Sequence, residues 1–307
     1  MFVHAEQCSA LHDLLCLYDS PARKTPPRMS ETLLQKIWRT SPATVVQAVR
    51  QRLAGRHGPR RVPPSWVRIQ AGALKDREFL LAAELGGSWR EMVEGTYDRD
   101  LFARLTAAVP LAGATVWDIG AHFGYHTLGF AALVGSAGKV VAFEPNPFNR
   151  ERLALNLERN RDLARIITVI PQAVAAEDGT AEFIFSADID SGDSSCSHLD
   201  AALPPRPADA YAHFRRETVP TVRIDTLLTQ RPGEIPKVLK IDVEGAEWLV
   251  LQGGREFFTR HKPAILMEVH DIRLMLHVGS FLRDHGYQIL GVDEAHATPS
   301  RCFIVAK

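Results

Sequence analysis

Two kinds of apolar spacing alternate along most of the chain. From residue 115 to residue 174, short unbroken apolar runs are separated by stretches whose apolar residues recur every three or four positions. The runs read as strands buried on both faces, and the stretches between them as amphipathic helices. The predicted order is strand 115–118, helix to 134, strand 140–144, helix 148–161 and strand 166–174. Right-handed crossovers make the sheet of such a unit parallel. The alternation resumes with strand 237–242, a helix from 246, strand 264–269 and a helix over about 272–285. Two more apolar runs, 287–292 and 302–306, predict a closing antiparallel pair.

Between these two blocks the pattern weakens. Glu177-Asp178-Gly179 reads as a turn and 181–185 as a strand, with 221–224 expected to pair with it at the sheet margin. Residues 186–220 are polar and proline-rich and contain SGDSSCSH. A loop of that length in a compact domain is functional or disordered. Before the first block, 66–85 suggests two short strands around Gly72, and 89–105 a turn leading into a helix. A helical pattern in the first 20 residues is broken by Pro21, Pro26 and Pro27; 31–38 and 43–53 read as two more helices. GRHGPRRVPP, 55–64, reads as a linker. The expected organisation is a helical extension over 1–64, a strand and helix lead-in over 65–110, and an α/β domain over 111–307.

The 307 residues carry 36 basic and 36 acidic side chains, so net charge does not point to a nucleic-acid partner. The balance is uneven. Residues 23–68 hold eleven Lys or Arg and one acid, Glu31, which leaves 25 basic and 35 acidic residues elsewhere. The basic segment reads as a solvated helical lid or partner surface, with an acidic ligand or membrane surface as the sharper alternative. Cys8, Cys16, Cys196 and Cys302 lack metal-ligand spacing and predict free thiols in a reducing compartment. No basic leader and no apolar run near 18 residues is present, so the expectation is a cytoplasmic protein without a membrane span.

The chemistry centres on VWDIGAHFGYHT, residues 116–127. It reads as a buried strand, a glycine turn and a helix start, with free amides that can receive a polar ligand. Dinucleotide turns follow G-x-G-x-x-G, in which the middle glycine admits a pyrophosphate. Here the turn is Asp118-x-Gly120-x-His122-x-Gly124, which suits a nucleoside ligand without phosphates. Glu144 ends the next strand, 24 residues after Gly120, at the distance from which an acid grips ribose hydroxyls.

DIGAHFGYHT (118–127), FEPNP (143–147), LALNLERN (153–160) and KIDVEGAEWLVLQGG (240–254) together resemble S-adenosylmethionine-dependent methyltransferases of the FkbM type. The last motif is the most specific, and the likeness covers about 116–270. His122 stands where that family often carries a small polar residue. The resemblance implies a Rossmann-like class I methyltransferase fold: a mostly parallel seven-stranded sheet in the order 3-2-1-4-5-7-6, with an antiparallel strand near the C-terminus. It also implies S-adenosylmethionine as cofactor, held by Asp118, Gly120, His122, Gly124, Glu144 and Asp242, with holding of the glycine turn as the alternative role of Asp118. Members carry a similar G-T-Y-[DE] before the first core strand, which would bring Tyr97 and Asp98 near the cofactor.

Acids end four core strands: Asp118, Glu144, Asp242 with Glu244, and Glu268 followed by His270. Packing does not explain such a set, because ionised carboxylates are rarely buried alone. Ligands of open α/β sheets sit at these strand ends. Glu244, Glu268 and His270 are the candidate catalytic residues, acting as base on an acceptor hydroxyl. The bland reading of Glu244 is a cap on the helix that follows. The expected site holds no metal. A divalent cation on Asp242, Glu268 and His270, as in catechol-type O-methyltransferases, is the less favoured alternative. The expected reaction is O-methylation of a small molecule, sugar or natural product. An NAD(P)-dependent oxidoreductase and a non-catalytic binding module are the rivals.

Overall fold

A computed structural model describes residues 63–82, 87–186, 197–202, 214–294 and 302–307. The helices expected before residue 64 and most of SGDSSCSH lie outside the described residues. The described chain opens with an antiparallel hairpin, β1 (Ser65–Arg68) and β2 (Glu78–Leu81), closed through a single 3-10 turn at Gly72–Leu74. Helices α1 (Ser88–Glu94) and α2 (Arg99–Ala108) follow. The first half of the domain is β3 (Thr115–Ile119), α3 (Tyr125–Val134), β4 (Lys139–Phe143), α4 (Pro147–Arg159), α5 (Arg161–Ala164) and β5 (Ile167–Ile170). Next come β6 (Ala173–Val174), β7 (Gly179–Phe185), β8 (His198–Leu199), β9 (Arg215–Val222) and α6 (Ile224–Gln230). The second half is β10 (Val238–Ile241), α7 (Glu247–Gln252), α8 (Arg255–His261), β11 (Ala264–Val269), α9 (Ile272–Asp284), β12 (Ile289–Glu294) and β13 (Cys302–Ala306).

The main sheet runs β5-β4-β3-β10-β11-β13-β12. Counted by its own strands that is 3-2-1-4-5-7-6, the expected order. The five strands from β5 to β11 are parallel, and β13 inserts antiparallel between β11 and β12. Period two sorts each strand between the two faces. Trp117 and Ile119 of β3, Leu239 and Ile241 of β10, and Ile265 and Met267 of β11 pack on one face with α6, α7, α8 and α9. Val116, Val238 and Leu266 face the other way, against α2 and α3. With both faces covered, the strands read as unbroken apolar runs. Asp118 and Lys240 are the two buried charges in these strands, and they are partners at register-matched positions of β3 and β10.

Several boundaries differ from the sequence reading: the turn expected from residue 89 is helix α1, and the strand expected over 287–292 is Ile289–Glu294. The expected strand 166–174 is two strands in two sheets: β5 stops before Pro171, which has no N–H to extend a ladder, and β6 starts a separate sheet. That sheet has the order β6-β9-β7-β8. The partner of β7 is therefore not a short 221–224 segment; β9 begins at Arg215, and Ile224 already belongs to α6.

Helix α4 fastens the hairpin to the domain. It starts at Asn146, whose side chain accepts the Phe148 amide, with Pro147 in the first turn. Its buried Asn156 accepts from the Leu80 amide of β2 at 2.9 Å and donates to the Phe123 carbonyl of the glycine turn at 2.9 Å. Asn160 donates to the Glu78 carbonyl at 2.9 Å. The asparagines of LALNLERN thus hold two neighbouring segments by their backbones. No described helix is long and apolar enough to cross a membrane.

Candidate functional site

The turn after β3 is built by close backbone approach. Gly120 has φ +84, and a Cβ there would lie 1.8 Å from the Asp242 carbonyl oxygen. Only glycine lets the β3 and β10 turns touch in this way. Gly124, at φ +91, is crowded by Leu153 of α4, so a helix is its close neighbour. His122 takes a left-handed conformation, φ 53. That conformation turns its amide onto Glu144 Oε2 at 2.6 Å.

Glu144 is buried and its other oxygen accepts from the Asn146 amide at 2.8 Å. Burial pushes its carboxyl up, the two amides and Asn149 pull it back, and the balance is about 7. It lines a cleft of about 300 Å³ at the C-terminal edge of the sheet. Gly120 and His122 line the same cleft, as do Asp242, Glu244 and Glu268 from the β10 and β11 ends. Trp89, Met92 and Tyr97 close it from the lead-in, and Phe183 and Leu199 from the second sheet. Trp89 stacks on Phe123 with centroids 5.1 Å apart.

Asp118 does not line the cleft. It is fully buried and accepts from Thr127 at 2.5 Å, with Lys240 Nζ 3.2 Å from its other oxygen. Lys240 also reaches Asp242 Oδ2 at 3.3 Å and donates to the Gly120 carbonyl at 2.7 Å. Burial works against the Lys240 charge, but Asp118 and Asp242 hold its proton more firmly than usual. Asp118 therefore braces the turn from behind the cleft, whereas the sequence reading expected it to touch the cofactor. Burial pushes the Asp242 carboxyl up, and Lys240, His270 and His126 outweigh it, leaving about 2.

Beyond Asp242 the acids gather on His270. Its Nδ1 is 2.6 Å from Glu247, and its Nε2 lies 3.4 Å from Glu268, 3.5 Å from Glu244 and 3.6 Å from Asp242. Burial disfavours charge on the ring, yet Glu244 and Glu247 raise it well above the ordinary histidine value. His270 is not among the residues that line the cleft, whereas Glu244 and Glu268 are, so the ring stands behind the two carboxylates. Glu244 and Glu268 remain as the candidate bases. Glu244 sits at φ 50, a strained setting for a residue with a side chain. The carboxylate that bonds the Gly245 amide at the start of α7 belongs to Glu247, at 3.0 Å. The capping role weighed for Glu244 is thus filled by its neighbour.

Tyr97 lines the cleft, where burial first, and then Asp98, Asp242, Glu268 and Glu244, keep its hydroxyl protonated. Asp98 turns away to His126, 3.0 Å distant. Sequence reasoning missed Glu247, which lay in a quoted motif but carried no strand-end signal. It also missed Trp89, Asn149 and Phe183, whose positions depend on packing between segments far apart in the chain.

A parallel five-strand core, an antiparallel insertion between its last strands and a cleft at the strand ends define a class I methyltransferase fold. Residues 118–289 match the Methyltransferase FkbM domain, and the chain belongs to that family. It is 29% identical over 202 residues to the hexuronic acid methyltransferase AglP of Haloferax volcanii, spanning 61% of this chain and 72% of that protein. It is 29% identical over 198 residues to the 31-O-demethyl-FK506 methyltransferase FkbM of Streptomyces tacrolimicus, spanning 58% and 74%. Among solved structures it is similar to a methyltransferase FkbM from Methylobacillus flagellatus KT, at 19% identity and TM-score 0.43, over 71% of this chain and 54% of that one.

Proposed function

We propose that the protein transfers a methyl group from S-adenosylmethionine to a hydroxyl of a sugar or natural-product acceptor. The observation that carries this reading is the chemistry of the cleft. One end offers Glu144 to ribose hydroxyls beside apolar walls such as Phe143 and Phe183, and the other end gathers acids that can act on an acceptor. The donor set fits a nucleoside and not a dinucleotide. The His122 amide, which a pyrophosphate would need, is already spent on Glu144 at 2.6 Å. A pyrophosphate there would also meet that carboxylate, like charge against like.

S-adenosylmethionine brings a methyl group already activated on a sulfonium. The protein's task is then to align the acceptor oxygen and remove its proton. Glu244 is the base, set on its strained turn at the cleft wall, while Lys240 and His270 hold the acids behind it. Glu268 is the alternative base. The two curated relatives, named for a hexuronic acid and for a demethylated FK506, support an acceptor of this class.

Calorimetry with S-adenosylmethionine, its demethylated product and NAD tests the cofactor. Heat from the first two and none from NAD is expected, and no heat from either of the first two sinks the reading. Glu244→Gln should lower turnover by about 10²–10⁴-fold with cofactor affinity kept. Unchanged turnover would move the base to Glu268.

A further inference from the structure

Among the described residues, four acids, Asp242, Glu244, Glu247 and Glu268, gather on the His270 imidazole, while Lys240 is shared with Asp118 and His126 is paired with Asp98. The two ring nitrogens are treated differently. Nδ1 is bonded at 2.6 Å to Glu247, whose side chain is fully buried. Nε2 is buried on a side chain only 4% exposed, and it makes no hydrogen bond. It points instead at three carboxylate oxygens from Glu268, Glu244 and Asp242, at 3.4, 3.5 and 3.6 Å.

A charged N–H bonded to one carboxylate would draw it to about 2.7–2.9 Å. Here three oxygens stand off the same nitrogen at nearly equal and longer distances instead. Neighbouring ligand atoms of an octahedral cation at about 2.1 Å lie about 3.0 Å apart, close to these separations. One ligand atom each from Asp242, Glu268 and His270 all lie within 4.8 Å of one another. A buried carboxylate on the far ring nitrogen is the usual support of a metal-binding imidazole. Asp242 is divided in a compatible way, with Oδ2 toward Lys240 and Oδ1 toward His270.

We propose that Asp242, Glu268 and His270 bind a divalent cation of the magnesium or manganese type, with Glu244 beside it. Hard oxygen ligands with one imidazole suit such ions. Asp242, Glu244 and Glu268 line the cleft, so the cation borders the space where an acceptor enters. It holds the acceptor's hydroxyl oxygen and makes its proton easier for Glu244 to take. This role in the reaction rests on the methyltransfer reading, whereas cation binding does not.

The test titrates full-length, chelator-stripped protein with Mn²⁺, following the free ion by electron paramagnetic resonance. One saturable site is expected, weakened at least tenfold in Glu268→Gln and in His270→Asn. Glu247→Gln should weaken it by about 10–100-fold through the ring's support. Calorimetry with S-adenosylmethionine on the same variants checks that each is folded. No saturable uptake up to about 1 mM, or uptake unchanged in both ligand variants, overturns the proposal. Cofactor binding without Mn²⁺ uptake removes the cation and leaves methyl transfer standing. Mn²⁺ uptake without cofactor binding does the reverse.

Discussion

Glu144 is under two opposed demands. Burial favours its neutral form, while the His122 and Asn146 amides favour the carboxylate, as would the ribose of the proposed cofactor. Its carboxyl stands at about 7 in the free protein, so part of the population is protonated near neutral pH. A ribose bond to the ionised form must then expel a proton. The sign follows: affinity for S-adenosylmethionine is full above about 7 and falls as the pH drops toward the ordinary carboxylate value. Calorimetry should find affinity about tenfold weaker at pH 6 than at pH 8. Proton release should show in buffers of different ionisation enthalpy. Flat affinity over that range would remove Glu144 from the ribose contact. Gly120 tests the turn beneath it. Gly120→Ala puts a methyl 1.8 Å from the Asp242 oxygen at φ +84, and backbone rather than a flexible side chain must move. Denaturant unfolding should show a loss of roughly 3 kcal/mol, and near-normal stability would mean the two turns can separate cheaply.

At the scale of elements, α4 determines whether the hairpin and the glycine turn act as one piece. Asn156→Leu keeps the volume of a buried side chain but strands the Leu80 N–H and the Phe123 carbonyl. Each stranded group costs about 1–3 kcal/mol, so a loss of about 2–6 kcal/mol is expected. Hydrogen exchange should accelerate in β2 more than in β10, and uniform acceleration would count against α4 as the local tie. The same helix shows what a single sequence discloses. Its start was readable, because Asn146 and Pro147 are local signals. The core strands were readable because burial on both faces leaves unbroken apolar runs, as in Val238–Ile241 with its one lysine. The family motifs contain Asn156, Glu247 and Lys240 but do not say what they touch. Lys240 meets Asp118 only through register, and Glu247 meets His270 only because α7 folds onto the end of β11. The split of 166–174 was partly legible, since Pro171 breaks the run, but that the second piece joins another sheet is decided only by pairing.

At the scale of the whole molecule, the cleft is walled by three regions distant in sequence. The sheet ends supply Glu144 and Asp242, the second sheet supplies Phe183 and Leu199, and the lead-in supplies Trp89, Met92 and Tyr97. The lead-in is integral to the core: Ile69, Phe79 and Leu81 are fully buried and pack in one cluster with Phe123 and Leu128 of the turn and α3. This sets where the chain can be cut. A protein beginning at Ser65 retains every described wall of the cleft and is expected to fold and to bind S-adenosylmethionine with affinity within a few-fold of the full chain. A protein beginning at Leu111 loses Trp89 and Tyr97 and uncovers the α3 face, so it should be poorly soluble or bind at least tenfold more weakly. Calorimetry and denaturant unfolding of the two shortened chains beside the full one decide the matter. If the chain from Ser65 fails and only the full chain binds, residues 1–64 share the core and are no separate extension. If the chain from Leu111 binds normally, the aromatic wall of the lead-in contributes nothing to the cofactor and belongs to the acceptor's side of the cleft.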